Sequence, residues 1–277
     1  MSSVGLSRPR AGGAVWLALH AEWTKFRTLP GMFWLPVAAA VLTVAVGAIA
    51  AGEYHCAGSM CTAAGGGGDP ARISLTGIYL GQVLVAVLAV LVVGGEYGNG
   101  MIHVTLAAVP RRQVLLLAKA AVVAGLTFAA ALAGVLGSMA TGRLVLTGRG
   151  MTPANGYLVL SPRYDEYLRA GLGSVLYLVL VALLALGITM AVRDSGVAIG
   201  VVLGLLLLFP LVIAVMPDHA LARHLEQASP VISGLSIEAT INESSLPLAP
   251  WQGLGVLALW AGGALLLGGL LLRRRDA

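Results

Sequence analysis

The scarcity of charged side chains constrains this chain more than any other feature of its sequence. Only 10% of the 277 residues are charged, whereas 58% are hydrophobic and the mean hydropathy is +0.91. A soluble domain carries roughly 25% charged residues, because it must cover its surface with groups that water solvates. A disordered chain has far fewer apolar side chains than this one. The composition therefore predicts an integral membrane protein.

Six apolar segments are long enough to cross a bilayer as helices. About 20 residues are needed, since a hydrocarbon core of ~30 Å is crossed at ~1.5 Å per residue. Pro210 lies inside the fifth segment and removes a backbone hydrogen bond, so we expect a kink there. The sequence thus predicts an all-α, polytopic fold with six transmembrane helices, at about residues 32–51, 73–94, 114–141, 168–192, 197–216 and 251–272.

The distribution of Lys and Arg predicts that both termini are cytoplasmic. In that orientation the inner segments hold 11 basic and four acidic side chains, and the outer loops hold six basic and eight acidic side chains. The resulting net charges, +7 inside and −2 outside, satisfy the positive-inside rule, so the basic pI reports topology and not a nucleic-acid partner. We expect a cytoplasmic segment at 1–31, a membrane domain at 32–272 and a basic cytoplasmic tail at 273–277.

The N-terminal segment has some features of a signal peptide, because Arg8 and Arg10 precede the apolar stretch 11–19. Cleavage would invert all six spans, but charged residues follow at once, which favours an uncleaved cytoplasmic segment. Five apolar side chains of residues 15–29 share an arc of about 100° on a helical wheel, which predicts an amphipathic helix on the inner leaflet. The alternative is a simple tail that helps set topology. The residues assigned to the interfacial helix are Glu22, Trp23, Lys25 and Arg27.

The inner segment between the second and third spans is longer than a connection needs. Residues 101–109 are expected to form a short helix with Ile102 on its apolar face, and Pro110 ends it. A cytoplasmic helix with an apolar face favours a docking surface for another protein. The alternative is a mobile loop in which Arg111 and Arg112 only enforce the topology.

The two long outer segments differ in character. The first contains Cys56 and Cys61 in a Gly-rich loop, where a disulfide in an oxidising compartment and two free thiols are both open. His55 adds a third potential ligand, but the three have no fixed spacing, so no metal site is predicted. In the second, residues 217–250, Asp218 is expected to cap a short helix. The apolar residues that follow predict a segment that dips into the outer leaflet between the fifth and sixth spans.

No catalytic or energy-coupling motif is visible in the sequence. Neither lysine stands in the Gly-Lys-Ser or Gly-Lys-Thr context of a P-loop, and no nucleophile elbow or zinc-protease motif occurs. No Asp or Glu falls well inside a predicted span, and Lys119 lies near the inner end of its span, which disfavours an ion-driven transporter. We therefore expect no catalytic, cofactor-binding or metal-binding residue in this chain and no enzymatic activity of its own.

Three blocks of the sequence resemble actinobacterial ABC exporter permeases of the type-2 class. They are the N-terminal block HAEWTKFRTLPGMFWL, the inner loop GEYGNGMIHVTLAAVPRRQVLLLAK and the ending WQGLGVLALWAGGALLLGGLLLRRRDA. The resemblance implies two permease subunits, as a homodimer or heterodimer, that form the substrate pathway in the plasma membrane. It also implies a separate cytosolic ATPase that binds ATP and Mg²⁺ and energises export.

The resemblance further implies a role for the matching residues. The helix with Glu22, Trp23, Lys25 and Arg27 would be a connecting helix that meets the ATPase. The inner loop would form a coupling helix that contacts it, and the residues concerned are Glu96, Tyr97, Gly100, Met101, Ile102, Pro110, Arg111 and Arg112. The alternatives are an ion-coupled secondary transporter and a non-transport six-span component, such as an immunity or sensor protein.

Overall fold

The computed structural model describes residues 20, 23–24, 30–57, 60–62, 68–98, 101, 112–150, 165–241 and 246–274. Within these residues six helical segments are long and apolar enough to cross a membrane, which confirms the predicted α-helical fold with six spans. We number the spans 1 to 6 in chain order. They are Phe33–Gly52, Pro70–Gly98, Gln113–Gly148, Asp165–Val192, Ser195–Ala214 and Pro250–Arg274.

The described part of the chain contains ten helices, of which eight build the six spans and two lie between spans 5 and 6. Span 1 lies in α1 (Pro30–Gly52), span 2 in α2 (Pro70–Leu75) and α3 (Ile78–Gly98), span 3 in α4 (Arg112–Gly148) and span 4 in α5 (Asp165–Val192). Span 5 joins α6 (Ser195–Leu203), a π-helical stretch (Gly204–Leu208) and α7 (Phe209–Ala214). Then come α8 (His219–Ala228), α9 (Pro230–Leu235), a 3-10 turn (Ser236–Glu238) and α10 (Pro250–Arg274), which is span 6.

The π-helical stretch of span 5 ends two residues before Pro210, where the sequence predicted a kink. Proline has no backbone N–H and its ring collides with the carbonyl one turn earlier, so the regular α-helical ladder is interrupted. A π-helical turn adds a residue to the ring of each hydrogen bond and is a common way to accommodate such an interruption. The span therefore continues across the bilayer with its irregularity near the middle.

Glycines mark the places where helices approach most closely. A Cβ atom on Gly134 would lie 3.2 Å from the Cα of Ala40, and one on Gly137 would lie 2.7 Å from a methyl group of Val44. Residue numbers rise together along both helices, so spans 1 and 3 run parallel. Small residues at such contacts let membrane helices pack by van der Waals attraction, where no hydrophobic effect drives them together.

Spans 4 and 6 form a second parallel pair of the same kind. A Cβ atom on Gly187 would lie 2.5 Å from the carbonyl carbon of Ala264, and one on Gly268 would lie 2.9 Å from the Cβ of Met190. With six alternating spans, span 1 begins and span 6 ends on the same side of the bundle. We call the side that holds Pro30 and Arg274 the terminal face, and the other side the opposite face.

Burial separates central from peripheral spans. Of the most apolar stretch of each span, 61% is buried in spans 2 and 4 but only 22% in spans 1, 5 and 6. The outward surfaces of the peripheral spans are apolar, as shown by the exposed side chains of Val41, Leu207, Leu259 and Leu266. Spans 2 and 4 thus form the core, and the remaining surface suits lipid or a further apolar partner.

Two connections on the opposite face have defined structure. Strands β1 (His55–Ala57) and β2 (Met60–Thr62) form an antiparallel hairpin whose register sets Cys56 opposite Cys61. Between spans 5 and 6, Asp218 caps α8 by accepting hydrogen bonds from the backbone N–H groups of Ala220 and Leu221, which confirms the predicted capped helix.

The segment that follows α8 folds back into the bundle. In residues 230–239, which we call the re-entrant segment, every side chain but that of Ile232 is buried. A Cβ atom on Gly234 would lie 2.8 Å from the ring of Tyr177 in span 4, and one on Gly253 in span 6 would collide with the Ser233 carbonyl. The segment therefore packs against spans 4 and 6, and not between spans 5 and 6 as the sequence suggested.

Candidate functional site

A buried ion pair joins spans 2 and 3 near the terminal face. The Nζ atom of Lys119 donates to Oε1 of Glu96 across 2.7 Å. The Lys119 side chain has no exposed surface, and Glu96 is 9% exposed. An uncompensated charge in such a place costs several kcal/mol, so each partner makes the burial of the other tolerable. The pair therefore ties the end of span 2 to the first turns of span 3.

Arg193 links further spans at the same face. Its guanidinium carbon lies 5.9 Å from the centre of the Tyr97 ring, within the range of a cation–π interaction. One of its nitrogens donates to the carbonyl of Leu271 near the end of span 6. The backbone of Arg193 has a φ of 65°, which non-glycine residues rarely adopt, and Asp194 then caps span 5 through the N–H of Val197. The turn after span 4 thus contacts the ends of spans 2 and 6.

The predicted coupling residues fall into three groups in this structure. Glu96 and Tyr97 point into the contacts just described, towards neighbouring spans. Met101 is 46% exposed at the terminal face, and the backbone of Arg112 begins α4. The remaining four, Gly100, Ile102, Pro110 and Arg111, lie outside the described residues.

Only part of the predicted connecting helix is described. His20, Trp23 and Thr24 have helical backbone, and the Thr24 hydroxyl donates to the His20 carbonyl one turn earlier at 2.8 Å. The Trp23 side chain is exposed. Three assigned residues, Glu22, Lys25 and Arg27, lie outside the described residues, so the amphipathic helix of residues 15–29 stays a prediction.

A second polar cluster lies in the opposite half of the bundle, where sequence reasoning found none. Asp69 caps α2 by accepting from the backbone N–H groups of Ala71 and Arg72. Its carboxylate also accepts from the N–H and hydroxyl of Thr240, each at 2.6 Å, and from the N–H of Ile241 at 3.2 Å. Hydrogen bonds therefore connect the start of span 2 to the residues that directly follow the re-entrant segment.

Glu238 lies beside these hydrogen bonds of Asp69, and its side chain is completely buried. Neither of its carboxyl oxygens has a hydrogen-bond partner among the described residues. Burial raises the pKa of Glu238 to about 8, the Arg72 guanidinium acts in the opposite direction, and the Asp69 carboxylate adds to the rise. Because this pKa lies about one unit above neutrality, Glu238 is mostly protonated at pH 7.

Polar side chains of spans 2 and 4 continue the cluster towards the middle of the bundle. The Tyr177 hydroxyl donates to Oε1 of Gln82, and both side chains are completely buried. The Gln82 amide nitrogen and the Ser174 hydroxyl have no hydrogen-bond partner in the part of the chain that the structure describes. Unsatisfied polar groups in a membrane core are costly and are characteristic of functional positions.

The described residues bring together no group of three or more side chains of the kinds that hold a metal ion. Two apolar grooves do open on the side of the bundle. One of about 440 Å³ lies between spans 4 and 6, and one of about 570 Å³ lies between spans 3 and 4. Arg143 and Tyr167 line the second groove towards the opposite face. Trp260 lines the first groove, and the other lining residues of both grooves are apolar, so the grooves suit lipid chains or other apolar groups.

Comparison with known proteins adds a finding that does not depend on this geometry. A family model described as ABC-2 family transporter protein matches residues 18–211. The matched range includes the inner loop, the Glu96–Lys119 pair and most of span 5. No curated protein gives a significant match to the chain.

Proposed function

Because the chain belongs to the ABC-2 family of transporter proteins, we propose that it is the permease of an exporter energised by a separate cytosolic ATPase. The family match covers more than two thirds of the chain. Membership and the six spans make it a multi-pass membrane transport subunit. The proposal adds the coupling to ATP, the cytoplasmic location of both termini, the direction of transport and a second permease subunit.

The arrangement of side chains at the terminal face supports the coupling to an ATPase. Span 2 ends at Gly98, so Glu96 and Tyr97 lie in its last turn and not in the inner loop where the sequence placed them. Their side chains contact Lys119 in span 3 and Arg193 directly after span 4. A partner that moves the inner loop would therefore move three spans together. We assign Glu96 and Tyr97 to transmitting that movement as positioning residues, and the exposed Met101 to contact with the ATPase.

ATP and Mg²⁺ would bind to the ATPase and not to this chain. Binding and hydrolysis of ATP would shift the permease between inward-facing and outward-facing arrangements, as a ligand shifts a population between two states. Spans 1, 5 and 6 expose extensive apolar surface. We propose that a second permease subunit covers part of this surface and that lipid covers the rest.

A pair of matched substitutions tests the contact with the ATPase. Met101 and Leu221 are exposed to similar degrees, 46% and 48%, on the terminal and the opposite face respectively. We expect Met101→Glu to reduce the ATPase activity that co-purifies with the tagged chain from native membranes by tenfold or more, a change of about 1.4 kcal/mol in binding. Leu221→Glu should leave it unchanged. Absence of any co-purifying ATPase, or equal loss in both variants, would count against the proposal.

The energy source separates the proposal from the two alternatives. In inverted membrane vesicles, uptake of apolar fluorescent compounds should require ATP and persist after ion gradients are collapsed. Uptake driven by an imposed proton or sodium gradient without ATP would identify a secondary transporter. A chain that co-purifies with no ATPase and moves none of the compounds would fit the non-transport component.

A further inference from the structure

The re-entrant segment is held in the bundle at both of its ends. Beyond its C-terminal end, Asp69 accepts three hydrogen bonds from Thr240 and Ile241. The Arg169 guanidinium of span 4 donates to the Ala239 carbonyl at 2.6 Å. Before its N-terminal end, the indole N–H of Trp260 in span 6 donates to the Ala228 carbonyl at 3.0 Å. These anchors surround one buried group that they do not satisfy, which is the Glu238 carboxyl.

The position of Glu238 makes its protonation state decisive for packing. Both carboxyl oxygens are buried without a hydrogen-bond partner among the described residues. An ionised carboxylate in that environment would lose its hydration and gain no donor in return, whereas the neutral acid loses much less. The packed arrangement of the segment is therefore compatible with the protonated acid and opposed by the carboxylate.

We propose that Glu238 is a proton-binding site that controls whether the re-entrant segment stays packed between spans 4 and 6. The proton is the ligand, the packed segment is the state that binds it, and release of the segment exposes Glu238 to water. The assignment goes beyond the transport function, because it concerns a conformational equilibrium of this chain alone.

The charged and titratable groups around Glu238 support this assignment. From α2 and its cap come Arg72 and Asp69, whose charges act on Glu238 in opposite directions. From the membrane helices come Tyr79 and Tyr177, each close enough to feel a charge on Glu238, and Arg169, which is engaged with the Ala239 carbonyl. The part of span 6 that packs on the segment, residues 250–257, contains no titratable side chain. No described cation reaches Glu238 to form an ion pair within 4 Å.

The direction of the pH dependence follows from linkage. In the packed state the pKa of Glu238 is about 8, and in the released state it returns to the ordinary value of 4.5. Below pH 4.5 both states are protonated and packing has its full stability. Between these two values the ratio of packed to released segment falls by up to about tenfold per pH unit, and above pH 8 it falls no further. Acid on the opposite face therefore closes the segment into the bundle, and alkali releases it.

Thiol labelling measures this equilibrium directly. Val231 is buried in the re-entrant segment and Leu221 is exposed on α8, so Val231→Cys and Leu221→Cys make a matched pair in a chain with Cys56→Ser and Cys61→Ser. The ratio of their labelling rates with a membrane-impermeant reagent removes the pH dependence of the thiol chemistry. We expect this ratio to rise by up to about tenfold per pH unit between about pH 5 and 8. In Glu238→Gln, whose amide stays neutral, the ratio should stay flat.

Two results would overturn the assignment. One is an equal rise of the labelling ratio in the Glu238 and Glu238→Gln chains, and the other is a flat ratio in both. Should Glu238→Gln fail to fold, infrared spectroscopy of the unsubstituted chain gives the answer, because a protonated carboxyl has its own C=O band. A band that disappears around pH 8 supports the assignment, and no such band at pH 6 refutes it. Both measurements need only the permease, so their failure is distinct from failure to find an ATPase.

Discussion

Replacement of Lys119 by Met should destabilise the protein far more than loss of one surface charge. Methionine nearly matches the length and volume of lysine but has no ammonium group, so packing is preserved while the pair with Glu96 is lost. Lys119 has no exposed surface and Glu96 only 9%. The carboxylate of Glu96 would then lose its 2.7 Å contact with the Lys119 ammonium group.

The expected cost is set by the charge left behind. Removing one partner of a buried ion pair typically costs about 3–5 kcal/mol, whereas an exposed pair contributes about 0–1 kcal/mol. At about 1.4 kcal/mol per factor of ten, Lys119→Met should shift the unfolding equilibrium by roughly two to three and a half orders of magnitude. Glu96→Gln should cost a similar amount, because it leaves a buried ammonium group.

A double-mutant cycle measured by equilibrium unfolding in mixed detergent micelles provides the assay. The double variant Glu96→Gln with Lys119→Met carries no buried charge, so it should be more stable than either single variant. The coupling energy should therefore be at least about 2 kcal/mol. A double variant whose loss equals the sum of the two single losses would refute the reasoning, because it would show that the two groups do not compensate each other.

Three further predictions concern packing and the opposite face. Gly187→Ala should cost about 1–3 kcal/mol of unfolding free energy, because its Cβ would overlap the backbone of Ala264. Gly263→Ala places its Cβ in open space and serves as the control. Equal effects of the two substitutions would contradict the close approach of spans 4 and 6. Asp69→Ala should speed amide hydrogen exchange at residues 236–241 by at least tenfold, since each hydrogen-bond donor left unsatisfied costs about 1–3 kcal/mol. Asp218→Ala removes only an exposed helix cap and should leave that exchange unchanged. If the opposite face is the outer one, Cys56 and Cys61 should form a disulfide, because directly opposed antiparallel residues have Cα atoms about 4.5–5.5 Å apart, within the range that a disulfide spans. Alkylation of both thiols without prior reduction would show that they are free.

The sequence was sufficient for the membrane class and the six spans because these depend on local properties. A run of about 20 apolar residues identifies a span whatever its neighbours are. The sequence does not show how far a helix extends beyond the bilayer. The helix α4, for example, continues to Gly148, past the predicted end of the third span at Thr141. The cap of α8 was predictable as well, since Asp218 acts on backbone groups two and three residues away.

The Glu96–Lys119 pair could have been predicted from the sequence, although it was not. The two opposite charges stand near the adjoining ends of consecutive spans, which must meet at one face of the membrane. The Asp69–Thr240 contact had no such signal, because it joins residues 171 positions apart. The burial of Glu238 depends on spans 2, 4 and 6 closing around the re-entrant segment, and the apolar residues before it predict only that the segment dips into the leaflet, not which spans enclose it.

The most direct test of the permease assignment is a photo-crosslinking amino acid at position 101, with the same group at position 221 as the control. In membranes of the native host, position 101 should form an adduct with a P-loop ATPase, ATP should change its yield, and position 221 should form none. An ATPase captured equally from both positions, or from neither, would contradict the proposal that the loop after span 2 receives the ATPase.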